Sequence, residues 1–306
     1  MFGEFDRNLV TIENQLGVYI TARGDRVGLE GSADAVAMAR DVLNDLYRRV
    51  KGGEEIDAGL LASVLMMAAQ PTLDGIVRRD VGSASTIAIR TRKKTILPRS
   101  AMQAVYMQEL AKQDIVFALG PAGTGKTYIA VAQAVSQLVA GSVQRLILSR
   151  PAVEAGERLG FLPGDLKEKV DPYLRPLYDA LYDCLPSEQV ERRIASGEIE
   201  VAPLAFMRGR TLADAFIILD EAQNTSIAQM KMFLTRFGQN SRMVVCGDPK
   251  QVDLPVPGAS GLGDAVARLE GVDGISVVRF STIDVVRHPI VGRIVDAYEG
   301  EGALPL

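Results

Sequence analysis

A glycine-rich segment near the middle of the chain has the composition and spacing of a phosphate-binding loop. Residues 120–127 read Gly-Pro-Ala-Gly-Thr-Gly-Lys-Thr and match the pattern G-x-x-x-x-G-K-[ST] in full. An apolar run, 115–119, precedes the segment, and a helical pattern, 128–138, follows it. Glycines let backbone N–H groups turn towards a phosphate, and a helix N-terminus adds partial positive charge. We therefore predict nucleotide binding by eight residues: Gly120, Pro121, Ala122, Gly123, Thr124, Gly125, Lys126 and Thr127.

Two pairs of polar side chains predict that the ligand is a nucleoside triphosphate with Mg²⁺. Lys126 is expected to reach the β- and γ-phosphates, and the Thr127 hydroxyl is expected to ligate the metal. A second apolar run, 216–219, is followed directly by Asp220 and Glu221. In this arrangement Asp220 would hold Mg²⁺, directly or through water, and Glu221 would orient and deprotonate the attacking water. An acidic pair after a strand is also typical of a helix N-cap.

A third apolar run, 243–246, is followed by Gly-Asp-Pro-Lys-Gln at 247–251. In a doubly wound sheet the carboxyl end of such a strand lies beside the phosphate loop. We expect Gln251 to contact the γ-phosphate or the lytic water, because an uncharged amide suits that role. The alternative is an ordinary turn, which Gly-Asp-Pro-Lys also favours.

Five short apolar runs rich in Val and Ile must position these residues. Long helical patterns separate most of the runs, which are 115–119, 146–149, 216–219, 243–246 and 275–278. Runs that are apolar on both faces and alternate with helices indicate a parallel sheet covered on both sides. The predicted fold class is therefore α/β, that of a P-loop NTPase.

The first 98 residues predict a different organisation. Residues 6–50 read as helix, strand, strand and helix, an order that resembles a KH-type RNA-binding domain. Gly24 is followed by Asp25-Arg26-Val27, so the Gly-x-x-Gly phosphate clamp is missing from this turn. A structural or oligomerisation appendage is the alternative. The predicted domains are a small KH-like α+β domain at 1–52, a helical and basic linker at 53–98, and a P-loop domain at 99–306.

Positive charges cluster at the end of the predicted linker, with no acidic residue among them. The formal net charge of the chain is −4, which argues against nonspecific nucleic-acid binding by the whole surface. The cluster is therefore either a local basic patch or a solvated linker. Its members are Arg90, Arg92, Lys93, Lys94 and Arg99.

The overall composition excludes several classes of protein. Hydrophobic residues make up 47% of the chain and charged residues 24%, as in globular rather than disordered proteins. No run approaches 18 consecutive apolar residues, and the N-terminus lacks a basic region followed by an apolar core. We therefore expect neither a membrane span nor a secretion signal. Cys184 and Cys246 lie far apart and near no histidine cluster, which favours a reducing, cytoplasmic location over a disulfide or zinc site.

Taken together, these motifs resemble the PhoH family of bacterial ATPases, specifically PhoH-like proteins with an N-terminal KH-like segment. Two further stretches, 149–157 and 284–289, carry the resemblance more specifically. It implies a RecA-like core similar to that of superfamily-one helicases, ATP and Mg²⁺ as ligands, and a role in RNA metabolism. It also implies that Gln103 reads adenine and that RNA and a YbeY-type endoribonuclease are partners. The residues alone make Gln103 only a polar side chain before a helix.

The chain departs from those helicases in one respect. They bind ATP in a cleft between two RecA-like domains, whereas only about 200 residues follow Arg99, enough for one. We therefore expect a homo-oligomeric ring, for example a hexamer, in which a neighbouring subunit donates Arg287 or another arginine to the γ-phosphate. A surface arginine is the alternative for Arg287. His288, the only histidine, is expected to shape the turn before Pro289 or to make a hydrogen bond.

Further candidates for RNA contact lie between the apolar runs 146–149 and 216–219. Arg150, at a strand end, suits nucleic-acid binding or relay of the nucleotide state, and a strand-end salt bridge is the alternative. Tyrosines interleaved with cations suit stacking on single-stranded RNA, or they line one side of a helix. These residues are Tyr173, Tyr178 and Tyr182 with Lys167, Lys169 and Arg175.

Three functions compete on the sequence alone. The leading interpretation is ATP hydrolysis coupled to remodelling or unwinding of RNA. The alternative is a nucleotide-gated module that binds ATP and recruits an RNA nuclease without unwinding. A small-molecule kinase is disfavoured by the helicase-like pairing of Asp-Glu-Ala-Gln with Gly-Asp-x-x-Gln.

Overall fold

The computed structural model describes most of the chain and divides into two units. The described residues are 1–3, 6–24, 26–51, 56, 60–61, 64–65, 68, 87–151, 166–254 and 260–286, without the side chains of 166–172. One unit comprises Met1–Ala88 and Leu97–Ala104, and the other comprises Ile89–Ile96 and Val105–Leu306. The domain bounds given above stay predictions.

The first unit has the predicted order of helix, strand, strand and helix. These elements are α1 (Arg7–Leu16), β1 (Tyr19–Arg23), β2 (Arg26–Glu30) and α2 (Ala33–Lys51), and the two strands pair antiparallel. Helix α1 ends at Gly17, whose φ of 66° is left-handed and whose N–H donates to the Glu13 carbonyl. Apolar residues of α1 and α2 pack with Leu61 and Leu65, which fall in the predicted linker 53–98. The small unit therefore has a core of its own.

The second unit is built on a six-stranded parallel sheet with the strand order β10-β5-β9-β8-β6-β7. Five of its strands coincide with the five apolar runs to within one residue at either end, which confirms the predicted parallel sheet. The sixth, β7, was not predicted, because this edge strand is only half-buried and contains Glu200 and Pro203. The strands are β5 (Ile115–Leu119), β6 (Arg145–Arg150), β7 (Ile199–Pro203), β8 (Ala215–Leu219), β9 (Arg242–Gly247) and β10 (Ile275–Arg279).

Helices cover this sheet and confirm the predicted α/β class. Residues of α7 and α8 pack against Phe117, Ile217 and Val245. Helix α4 contacts β6, β8 and β9. Alternate residues of the strands, such as the buried Phe216 and Val244, face the side of the sheet opposite to Ile217 and Val245. The described helices from residue 101 onwards are α3 (Ala101–Lys112), α4 (Lys126–Ala140), α5 (Leu166–Cys184), α6 (Ser187–Ala195), α7 (Ile227–Leu234) and α8 (Gly261–Leu269). Among the described residues, no helix is long and apolar enough to cross a membrane.

The basic cluster of the predicted linker contributes a hairpin to the second unit. Strands β3 (Ile89–Arg90) and β4 (Thr95–Ile96) pair antiparallel, and Arg92, Lys93 and Lys94 form the turn between them.

The register of the sheet brings the carboxyl ends of its strands to one edge. Leu119 pairs with Gly247, Leu219 pairs with Val245, and Ser149 pairs with Leu219. The residues that follow β5, β6, β8 and β9 therefore emerge side by side, at the position where parallel α/β sheets bind ligands.

Candidate functional site

A cavity of about 620 Å³ opens at this edge of the sheet. Its walls come from the phosphate loop, the ends of β6, β8 and β9, and one side of α5. The lining residues are Ala122, Gly123, Gly125, Lys126, Thr127, Tyr128, Arg150, Pro176, Asp179, Ala180, Asp183, Asp220, Glu221, Gly247, Asp248 and Gln251. The volume suits a ligand of the size of a nucleotide.

The glycine-rich loop is fixed by its backbone. Gly120 has a φ of 138°, and a Cβ there would lie 2.5 Å from the Phe280 carbonyl oxygen, so only glycine fits. Its N–H donates to the Gly247 carbonyl at 3.1 Å, and the Gly123 carbonyl accepts the Val286 N–H at 2.9 Å. The loop is thus tied both to β9 and to the segment after β10.

The ammonium group of Lys126 lies within the curve of the loop. It donates to the carbonyl oxygens of Gly120 and Pro121 at 2.6 and 2.7 Å and to the Thr124 hydroxyl at 3.3 Å. The side chain is buried, and this burial lowers the pKa of Lys126. Backbone acceptors hold the charge inside the loop, where it can meet a phosphate oxygen.

Two hard oxygen ligands meet beside Lys126. The Thr127 hydroxyl, in the first turn of α4, donates to Asp220 Oδ1 at 2.6 Å. Asp220 follows β8 directly and is buried; burial raises the pKa of its carboxyl, and the hydrogen bond from Thr127 opposes that rise. A hydroxyl and a carboxylate at a phosphate loop are the donor set that Mg²⁺ takes alongside phosphate oxygens, so these residues fit that ion.

Glu221 is held at both carboxylate oxygens. Oε1 lies 3.5 Å from Nη2 of Arg150, and Oε2 accepts a 2.6 Å hydrogen bond from the Gln223 amide. Its backbone has a φ of 51°, in the left-handed region, just before the short 3₁₀ helix Ala222–Asn224. This turn directs the side chain into the cavity rather than along a regular helix.

The segment after β9 contacts the Glu221 turn through Gln223. The Gln223 amide oxygen accepts the Asp248 N–H at 3.1 Å, and the whole side chain is buried. A Cβ at Gly247 would lie 2.7 Å from that oxygen, so glycine is needed for this contact. The Gln251 N–H donates to the Asp248 carbonyl at 3.0 Å, and its exposed side chain lines the cavity.

A second cluster lines the cavity where α5 ends. The Tyr128 hydroxyl donates to Asp183 Oδ2 at 2.8 Å, and Lys94 pairs with the same carboxylate while lying 5.5 Å from the Tyr128 ring centre. Burial raises the pKa of Asp183, but the hydrogen bonds from Lys94 and Tyr128 outweigh it and lower that pKa overall. The Lys93 ammonium donates to the Tyr182 carbonyl. The tip of the β3–β4 hairpin is therefore attached to the C-terminal end of α5.

The structure brings most of the predicted site residues together around the cavity. The loop residues, Asp220, Glu221 and Gln251 share this edge of the sheet. Gln103 lies in the first turn of α3, where its amide oxygen accepts the Arg99 N–H at 2.7 Å, and its role towards adenine stays a prediction. Arg287 and His288 lie outside the described residues. So do the side chains of Lys167 and Lys169.

Sequence reasoning missed three residues of the site: Gln223, Tyr128 and Asp183. Gln223 carries a usable signal, because it stands two residues after Glu221 in the Asp-Glu-Ala-Gln motif. Tyr128 directly follows Thr127, and the sequence predicts it only as part of the helix 128–138. Asp183 carried no signal, since its contacts depend on where α5 ends.

Comparisons with known proteins extend over nearly the whole chain. A family model described as PhoH-like protein matches residues 95–299. A PhoH-like protein of Bacillus subtilis (strain 168) is 47% identical over 299 residues, covering 98% of this chain and 93% of that protein. A PhoH-like protein of Mycobacterium tuberculosis (strain ATCC 25618 / H37Rv) is 49% identical over 299 residues, covering 97% of this chain and 84% of that protein. Protein PhoH of Escherichia coli (strain K12) is 46% identical over 205 residues, 66% of this chain and 58% of that protein.

Proposed function

This chain belongs to the PhoH family, and we propose that it is a Mg²⁺-dependent ATPase that remodels RNA in the cytoplasm. The observation that carries the proposal is the contact of Thr127 with Asp220 inside a cavity that also holds Lys126 and Glu221. Together these four residues supply a phosphate-binding cation, two oxygen ligands for a metal and a carboxylate base.

Each residue has a defined task in this proposal. Lys126 binds the β- and γ-phosphates, because its ammonium group already lies within the loop on backbone carbonyls. Thr127 and Asp220 hold Mg²⁺, which when bound neutralises phosphate charge. Glu221 takes a proton from the attacking water, and Gln251 orients that water or contacts the γ-phosphate. The positive backbone end of α4 adds to the binding of the phosphates.

RNA is the proposed substrate because exposed cations lie on surfaces next to the site. Arg90 and Arg92 are exposed on the β3–β4 hairpin, and Arg175 is exposed on α5. The tip of that hairpin contacts the end of α5 through Lys93 and Lys94. Such cations neutralise backbone phosphates without reading the base sequence.

The proposal includes a ring of subunits in which Arg287 of one subunit reaches the γ-phosphate on the next. The described sheet offers one side of the cleft that such ATPases use, and a second copy of this chain would supply the other side. A YbeY-type endoribonuclease is the proposed partner in RNA processing. Sedimentation with ATP and Mg²⁺ tests the ring: a monomer at working concentration would exclude it.

Steady-state ATP hydrolysis with and without single-stranded RNA, at two salt concentrations, tests the central proposal. Lys126→Ala and Glu221→Gln should each lower kcat by about a hundredfold or more, and Glu221→Gln should still bind ATP. Lys231→Ala, an exposed lysine on α7, is the matched control and should behave as wild type. Turnover should rise with RNA, more so at low salt.

The outcomes separate the competing functions. ATP turnover that requires Lys126 but is unchanged by added RNA would favour a nucleotide-gated module that recruits an RNA nuclease. Equal turnover in wild type and Lys126→Ala would exclude ATP hydrolysis at this cavity.

A further inference from the structure

Each oxygen of the Glu221 carboxylate has one contact with a neighbouring side chain. Arg150 lies 3.5 Å from Oε1, and the Gln223 amide donates to Oε2 at 2.6 Å. A general base must accept a proton from water at one of its oxygens. The two contacts therefore limit how the Glu221 carboxylate can turn towards a water, and loosening either contact widens that range.

The two contacts differ in how easily they can open. Gln223 is almost fully buried and is fixed at its other end by the Asp248 N–H. The Arg150 side chain is 22% exposed and lines the cavity, and its partner Glu221 is 37% exposed. An ion pair of this exposure is weak and is easily exchanged for water. Opening at Arg150 frees Oε1 while Gln223 continues to orient the carboxylate.

Arg150 also connects Glu221 to helix α5. Its Nη1 donates to the Tyr173 carbonyl at 3.0 Å, so one guanidinium group bridges α5 and the carboxylate. The other end of α5 reaches the phosphate loop, because Asp183 accepts the hydrogen bond from Tyr128, the neighbour of Thr127. A displacement of α5 therefore changes the position of the Arg150 guanidinium relative to Glu221.

We propose that Arg150 is a positioning residue that restrains Glu221, and that displacement of α5 releases the carboxylate for hydrolysis. The proposal rests on the proposed function, since it requires Glu221 to be the base. Arg150 itself transfers no proton. The planar guanidinium group suits this task, because it contacts the Tyr173 carbonyl and the Glu221 carboxylate at once. A lysine ammonium would do so with less geometric precision.

Steady-state kinetics of the full chain test the restraint. Arg150→Ala should raise kcat for ATP hydrolysis without RNA by about two- to fivefold, the range expected for a partly exposed ion pair. The KM for ATP should change less than kcat, because Arg150 holds the base rather than the phosphates. Arg150→Lys should fall between wild type and Arg150→Ala. The control is Arg145→Ala, which should leave kcat unchanged. Arg145 lies at the opposite end of β6, where its side chain donates to the Ala213 carbonyl.

A kcat for Arg150→Ala equal to or below that of wild type would overturn the proposal. A fall in kcat would instead make Arg150 a group that contacts the reacting phosphate.

Hydrogen–deuterium exchange of residues 220–226 provides a readout that needs no turnover. The Asn224 and Thr225 N–H groups donate within this turn, to the carbonyls of Glu221 and Ala222. Arg150→Ala should speed their exchange relative to both wild type and Arg145→Ala, because the left-handed Glu221 loses one of its restraints. Unchanged exchange would overturn the restraint even if the enzyme hydrolyses ATP. Faster exchange in a protein that proves unable to hydrolyse ATP would leave the restraint intact and remove only the proposed function.

Discussion

The hydroxyl of Thr127 donates a 2.6 Å hydrogen bond to the carboxylate of Asp220, although 93 residues separate them in sequence. Thr127 lies in the first turn of α4, and Asp220 follows β8, which pairs with β9 rather than with the loop-bearing β5. The contact therefore depends on the strand order of the sheet. It brings both predicted metal ligands together beside the phosphate loop.

Removal of either ligand should raise the Mg²⁺ requirement for hydrolysis. Thr127→Ala and Asp220→Asn each delete one oxygen ligand, so the Mg²⁺ concentration for half-maximal activity should rise about tenfold or more. A Mg²⁺ titration at saturating ATP measures the effect. Asp273→Asn, an exposed aspartate before β10, is the matched control. An unchanged Mg²⁺ requirement in both site variants would show that these residues do not hold the metal.

The central sheet and the main site residues could be predicted from the sequence for a physical reason. Central strands of a parallel sheet are buried on both faces and read as apolar runs, as in the fully buried β8. Motif residues that directly follow such runs must then lie at the carboxyl edge. The edge strand β7 has mostly half-buried residues, so its signal was too weak.

Contacts between distant residues could not be predicted in the same way. The pairing of Arg150 with Glu221 requires β6 to neighbour β8 in the register that places Ser149 opposite Leu219. No spacing in the sequence encodes that neighbour relation. The same holds for Tyr128 and Asp183, whose contact depends on the length and packing of α5.

Two glycines of α8 should respond in opposite directions to substitution by alanine. A Cβ at Gly261 would lie 2.5 Å from the Ser226 carbonyl oxygen, whereas a Cβ at Gly263 would meet no atom within 4 Å. Gly261→Ala should lower the free energy of unfolding by about 1–3 kcal/mol through overpacking. Gly263→Ala should raise it by up to about 1 kcal/mol through helix propensity. Urea unfolding measures both, and destabilisation by Gly263→Ala would contradict the packing described for this helix.

Both cysteine thiols should be unreactive in the folded protein. Cys184 and Cys246 are free and buried. Burial raises the pKa of Cys184 to about 11 and that of Cys246 to about 12, with nearby Asp220 adding to the second shift. At about pH 8 neither residue has an appreciable thiolate population, which is the reactive form. A thiol reagent such as Ellman's should therefore label neither in native protein and both in concentrated guanidinium chloride. Rapid labelling of native protein would contradict the burial.

The ion pair between Arg210 and Glu200 should make stability depend on acid pH. Arg210 donates to both Glu200 carboxylate oxygens, at 2.6 and 2.7 Å, and these hydrogen bonds lower the pKa of Glu200 from its ordinary 4.5, against a smaller effect of burial. A lowered carboxyl pKa stabilises the fold above the unfolded value and loses that contribution as pH falls through the folded value.

Arg210→Ala should therefore cost up to about 1 kcal/mol of unfolding free energy at neutral pH, since the pair is partly exposed. The difference from wild type should shrink as the pH falls below the ordinary Glu200 pKa of 4.5. Urea unfolding across this pH range measures it, with the exposed Arg208→Ala as the matched control. A difference that stays constant through the acid range would mean that Arg210 stabilises the fold through packing of its stem rather than through the Glu200 carboxylate.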